Sequence, residues 1–110
     1  MSKTQEYELR RTYIEKVLGT ALKAKKGFES IKYAREIATD AEYIRICDVR
    51  GEAVTLNITG KGLEEVMTDV FKVAIYSVLG KHDKMTAPAD IITDRAELLR
   101  LAPLFRATGL

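Results

Sequence analysis

Cys47 and His82 are the only thiol and the only imidazole in the chain, and nucleophilic catalysis by such a pair needs the two within hydrogen-bond reach. Nothing local brings them together. Cys47 lies in mid-strand sequence, away from the helix N-terminus that activates a thiol, and His82 lies in the charged stretch Lys81-His82-Asp83-Lys84. A structural cysteine and a solvated histidine are the plainer reading. A single Cys excludes an internal disulfide and every multi-thiolate metal site, and the lone His has only Asp83 beside it, so neither a metal nor a cofactor is expected.

Three other groups carry chemical potential. Thr59-Gly60-Lys61-Gly62 stands at a strand-to-helix junction, where free backbone N–H groups attract anions. It matches neither phosphate-loop pattern, and Glu64 and Glu65 already supply the negative charge of the first turn, so a turn and cap is expected. Glu64, Glu65 and Asp69 fall on the outward side of one helix, and Glu65 and Asp69, four apart, could stand side by side, but a solvated face is the plainer reading. Lys23, Lys25 and Lys26, and separately Lys81, His82 and Lys84, gather at helix C-termini, where cations complement the macrodipole. Were the two groups to meet, they would make a phosphate-binding patch.

The most defined segment is a hairpin, Tyr43-Ile44-Arg45-Ile46-Cys47-Asp48-Val49 followed by Ala53-Val54-Thr55-Leu56-Asn57-Ile58. Asp48-Val49-Arg50-Gly51 suits a type I turn ending in a left-handed Gly, which pairs Asp48 with Glu52 and sets Ile46 opposite Val54 and Ile44 opposite Leu56. A register one residue off would split the apolar face. The opposite face, Tyr43, Arg45, Cys47, Thr55 and Asn57, has the chemical variety of a contact surface, and Tyr43, Arg45, Thr55 and Asn57 are candidates for touching a macromolecule.

Around the hairpin, apolar spacing predicts a helix over about Thr4–Lys26, in which Gly19 implies a close neighbour. A shorter helix is predicted over about Ser30–Thr39 and a long one over Leu63–Leu79. A last helix starts at the capping box Asp94-Arg95-Ala96-Glu97, and Pro103 should stop or kink it. The expected fold is α+β, a β-hairpin packed on three to four helices in the order α-α-β-β-α-α, in one domain spanning the whole chain. The long helix adds Val73, Ile75, Tyr76 and Leu79 outside its main stripe. With the unpaired edges of an isolated hairpin, these four predict a homodimer interface.

Composition bounds the rest. A 46% hydrophobic, 31% charged chain with two Pro is globular. Its net charge of +2 is too small to imply nucleic acid or a membrane surface from bulk electrostatics. The polar start Met1-Ser2-Lys3-Thr4-Gln5-Glu6 has no apolar core of a signal peptide, and no apolar run approaches a membrane span, so a soluble cytoplasmic protein is expected. Catalytic residue types are few and scattered. The leading expectation is therefore a non-enzymatic, self-associating interaction module that binds another protein. A nucleic-acid-binding protein using the hairpin ribbon and the lysine groups is the alternative, and an enzyme the least favoured class.

Overall fold

The computed structural model describes residues 2–24, 27–79 and 91–109, with side chains to Val73 in the long helix and to Arg106 in the last one. A helical run opens the chain: α1 (Lys3–Thr12), a π-helical stretch (Tyr13–Leu18) and α2 (Gly19–Leu22). Ser2 caps it reciprocally with Gln5, its Oγ accepting from the Gln5 N–H while its own N–H donates to Gln5 Oε1. Three strands follow, β1 (Phe28–Glu36), β2 (Ala41–Asp48) and β3 (Ala53–Asn57), then α3 (Leu63–Leu79), β4 (Ile91–Ile92) and α4 (Arg95–Gly109). The strands form one antiparallel sheet in the order β1-β2-β3-β4.

The hairpin has the register its turn dictates. Ile46 faces Val54 and Ile44 faces Leu56; the Asp48 N–H donates to the Glu52 carbonyl at 2.9 Å, and Gly51 stands at φ +86°. The α+β class holds, but the element order α-α-β-β-α-α does not. With the N-terminal run as one helix, the order is α-β-β-β-α-β-α, and the hairpin is part of a four-stranded sheet.

The segment expected as a helix over Ser30–Thr39 is strand β1. Apolar residues at 31, 34, 37 and 38 imitate helical spacing, yet Ile37 is 79% exposed. The unpaired edge of β2 decides the outcome, because eight residues of β1 satisfy it and add Ile31 and Tyr33 to the core. Both hairpin edges are thus met within the chain, by β1 and by the two-residue β4.

One sheet face, bearing Ile31, Tyr33, Ile44, Ile46, Leu56 and Ile58, packs on Ile14, Leu18 and Leu22 of the helical run and on Val66, Val70 and Val73 of α3. Gly19 is buried, and a Cβ there would meet Ile31 Cγ2 at 3.3 Å, the close neighbour its position implied. The inward stripe of the run is Ile14-Leu18-Leu22, while Leu9 and Val17 face outward. Val73 is wholly buried within this core and is not available as dimer surface. The side chains of Ile75, Tyr76 and Leu79 lie outside the described residues.

The second face, bearing Ala34, Tyr43 and Ile92, packs under α4 through Leu101, Leu104 and Phe105. α4 runs through Pro103 to Gly109 instead of stopping before it. Pro103 removes only the N–H that would meet the Leu99 carbonyl, and both residues lie on the exposed side, where water can take that acceptor.

Gly51→Val tests the turn. No atom lies within 4 Å of a Cβ built there, so the cost is that of left-handed backbone alone, about 1–2 kcal/mol. Urea unfolding should show that loss with an unchanged m-value. No loss would contradict the turn geometry.

Candidate functional site

Antiparallel pairing sorts the polar residues between the two faces. On the core face, Glu42 Oε2 accepts from Arg10 Nε at 2.6 Å and from the Tyr33 hydroxyl at 2.5 Å, tying α1, β1 and β2 at one buried oxygen. The Glu42 side chain is 7% exposed and that of Arg10 14%, so the ionic pair is largely dry. A pair in such a place is costly to break from one side, by about 3–5 kcal/mol. Arg10 Nη2 and Arg11 Nε are buried without a hydrogen-bond partner among the described residues. Arg11 lies 5.9 Å from the Tyr33 ring centroid, and Glu15 accepts the outward N–H of Tyr33 at 2.7 Å, closing part of the free edge of β1. These residues build the fold.

The other face contains the site. Lys32 on β1 and Arg45 on β2 are direct cross-strand partners. Thr55 follows opposite Arg45 on β3. Between this row and the N-terminal half of α4 lies a groove of about 390 Å³, lined by Arg45, Ala53 and Thr55 from the sheet and by Arg95, Leu98 and Phe105 among others from the helix. Lys32, Arg45 and Arg95 make no ion pair or hydrogen bond among the described residues, whereas nearby Arg50 pairs with Asp48 and Glu52. Like charges directly opposite in a sheet repel, and Arg95 sits at the positive end of α4's dipole, where a cation is disfavoured.

α4 is fastened over the sheet by a polar latch and by apolar side chains. Arg100 binds the carboxylates of Glu36 and Glu97 and donates to the Tyr43 hydroxyl at 3.3 Å. Arg100 thereby holds the carboxyl of Glu97 below the usual range. Leu101 and Phe105 beyond this latch are buried, while Leu99 is 67% exposed. α4 is therefore fastened to the sheet from Arg100 onward, through Leu101 and Phe105, with Leu99 turned to the outer side.

Of the four residues expected on a contact face, Tyr43 and Thr55 are 4% and 5% exposed, the first packed among α4 side chains. Arg45 is half-buried in the groove wall, and Asn57 is exposed, accepting the Thr59 N–H through Oδ1. Cys47 is half-buried on the same face. His82, Lys25, Lys26, Lys81 and Lys84 lie outside the described residues. Glu64 and Glu65 are exposed, and Asp69 pairs with Lys61 rather than with Glu65. Among the described residues no group of three His, Cys, Asp or Glu side chains could hold a metal ion, and no helix is long and apolar enough to cross a membrane.

Lys32 and Arg95 were not expected at the site. Arg95 had a sequence signal, a cation in the first turn of a capped helix. Lys32 had none while its segment read as a helix. Fold and site together define a small α+β domain with a cationic, apolar-walled groove under one helix. Comparison with protein-family models, with curated proteins and with solved structures finds no match to this chain.

The Tyr33 phenol ionises well above its ordinary value near 10, chiefly because it is buried and then because it donates to the Glu42 carboxylate. An unfolded phenol ionises near 10, so the folded state keeps this contribution below that pH and loses it as pH rises further. Stability should fall more steeply above pH about 10 in the wild type than in Tyr33→Phe, as followed by urea midpoints. Parallel slopes would contradict the buried hydrogen bond.

Proposed function

We propose that this chain is a non-enzymatic interaction module whose groove takes a short segment of another protein carrying carboxylates beside an aliphatic or aromatic side chain. The observation that carries the reading is the pair Arg45 and Arg95, cations without an acidic partner among the described residues, lining an apolar-walled groove, with the equally unpaired Lys32 directly across from Arg45 on β1. Unpaired cations kept close together cost stability, and an incoming carboxylate repays that cost by pairing with a guanidinium fork of matching shape. Leu98, Leu101 and Phe105 offer a wall for one apolar side chain. The groove's size lies within the range of sites that enclose small ligands or a few side chains. A single thiol fits action in the cytoplasm.

Nucleic acid is the less favoured partner. The hairpin cannot act as a free ribbon in a groove of a duplex while Tyr43 and Thr55 are covered, and the near-neutral net charge supplies little long-range attraction. The direct test is fluorescence anisotropy with a labelled peptide alternating glutamate with leucine and phenylalanine. Binding at roughly 10–100 μM is expected, with a loss of at least ~10-fold in Arg45→Gln and in Arg95→Gln. No binding to the peptide, or salt-sensitive binding to a DNA duplex tighter than ~10 μM, would contradict the reading.

A further inference from the structure

The side of the molecule opposite the groove presents what the groove would accept. α3 packs on the other sheet face, and its first turn places Leu63 and Met67 at the surface, 36% and 37% exposed, one helical turn apart, with Glu64 between them in sequence and Glu65 following it. Neither Glu64 nor Glu65 has an ion-pair partner among the described residues, in contrast to Asp69, which binds Lys61. Residues 63, 64 and 67 share one side of a helix with a period of 3.6, so Leu63, the Glu64 carboxylate and the half-exposed side chain of Met67, whose sulfur accepts from the Tyr13 hydroxyl at 3.8 Å, are offered together, with Glu65 on the flank of the same turn.

We infer, resting on the reading of the groove given above, that its partner is a second copy of this chain, whose exposed Leu63-Glu64-Glu65-Met67 turn docks against Arg45 and Arg95 of the first. Charge complementarity is the argument for that occupant: the unpaired Glu64 carboxylate beside exposed aliphatic surface, with unpaired Glu65 in the same turn, on one sheet face, and two unpaired guanidinium groups beside an apolar wall on the other. The two surfaces differ and lie on opposite sides of the sheet, so the contact is head-to-tail. Such a heterologous contact does not close on itself in a pair. Each added copy leaves one groove and one acidic turn free, and assembly proceeds to a ring or an open chain.

Arg45, Arg95, Glu64 and Glu65 belong to neither core cluster, so each can be altered without removing a core side chain. Sedimentation velocity on the whole chain should show mass rising with concentration for the wild type. Arg45→Gln with Arg95→Gln should remain at single-chain mass, and so should Glu64→Gln with Glu65→Gln. An equimolar mixture of the two double variants should give a discrete two-chain species and nothing larger, because only one good groove and one good acidic turn remain in each pair. Circular dichroism confirms that both variants are folded, and the single changes Arg45→Lys and Glu64→Asp serve should either double variant unfold; each should weaken association in the same direction.

If the wild type stays at single-chain mass while the acidic peptide still binds the groove, the inference is overturned and the groove's function stands. If neither the peptide nor a second copy binds, both fall. Self-association that neither double variant reduces would also overturn the inference, since it would run through other surfaces.

Discussion

The pleat register of β1, β2 and β3 is the constraint on which the rest depends. A sheet sends alternate side chains to opposite faces, so a slip of one residue would exchange the two sets. The turn at Asp48–Gly51 fixes β3 against β2, and pairing from Phe28 to Glu36 fixes β1 against the other edge. With those registers set, Ile31, Tyr33, Ile44, Ile46 and Leu56 must share one face, and Lys32, Ala34, Tyr43, Arg45 and Thr55 the other. The core and the groove are the two sides of one geometric decision.

The two faces are closed by different means. On the core face, aliphatic side chains of the helical run and α3 meet those of the sheet, and the Glu42 carboxylate adds a polar node that fixes α1 over β1 and β2. Its energetic role is specificity of placement more than net stabilisation, because drying the ions offsets much of their attraction. On the opposite face, α4 is fastened by the Arg100 latch and by Leu101, Leu104 and Phe105. The groove lies between the sheet and the Arg95 to Phe105 stretch of α4, and the same register that buries Tyr43 brings Lys32 beside Arg45. Packing and electrostatics disagree at that place: the packing is satisfied while the charges are not. Local disagreement of that kind is where sequences carry functional demands.

Much of this was legible from residue types. The hairpin register followed from turn chemistry and alternation, α3 from its periodicity with the boundaries found, and the tight packing at Gly19 from the cost of an interior helical glycine. Strand β1 was not legible. Its two core residues, Ile31 and Tyr33, are too few to establish a period of two, and the apolar residues at 34, 37 and 38 complete a false helical stripe. Only the open edge of β2 distinguishes the two, and that is a tertiary fact. The consequence reached the site, since reading 30–39 as a helix hid Lys32, and expecting a stop or kink at Pro103 left open the docking of Leu104 and Phe105 beside Tyr43. Arg45 was singled out as a member of a contact face, and that face is in fact half covered by α4.

The account stands or falls on whether the register places two uncompensated cations against each other. A double-mutant cycle between Lys32 and Arg45, read by urea unfolding of the wild type, Lys32→Gln, Arg45→Gln and the double variant, measures this directly. The account predicts that each single change leaves the protein as stable or more stable, with a repulsive coupling of about 0.2–1 kcal/mol that shrinks with added salt. An attractive coupling, or a loss of more than ~1 kcal/mol from Arg45→Gln alone, would mean that Arg45 supports the fold rather than awaiting a partner, and would contradict it.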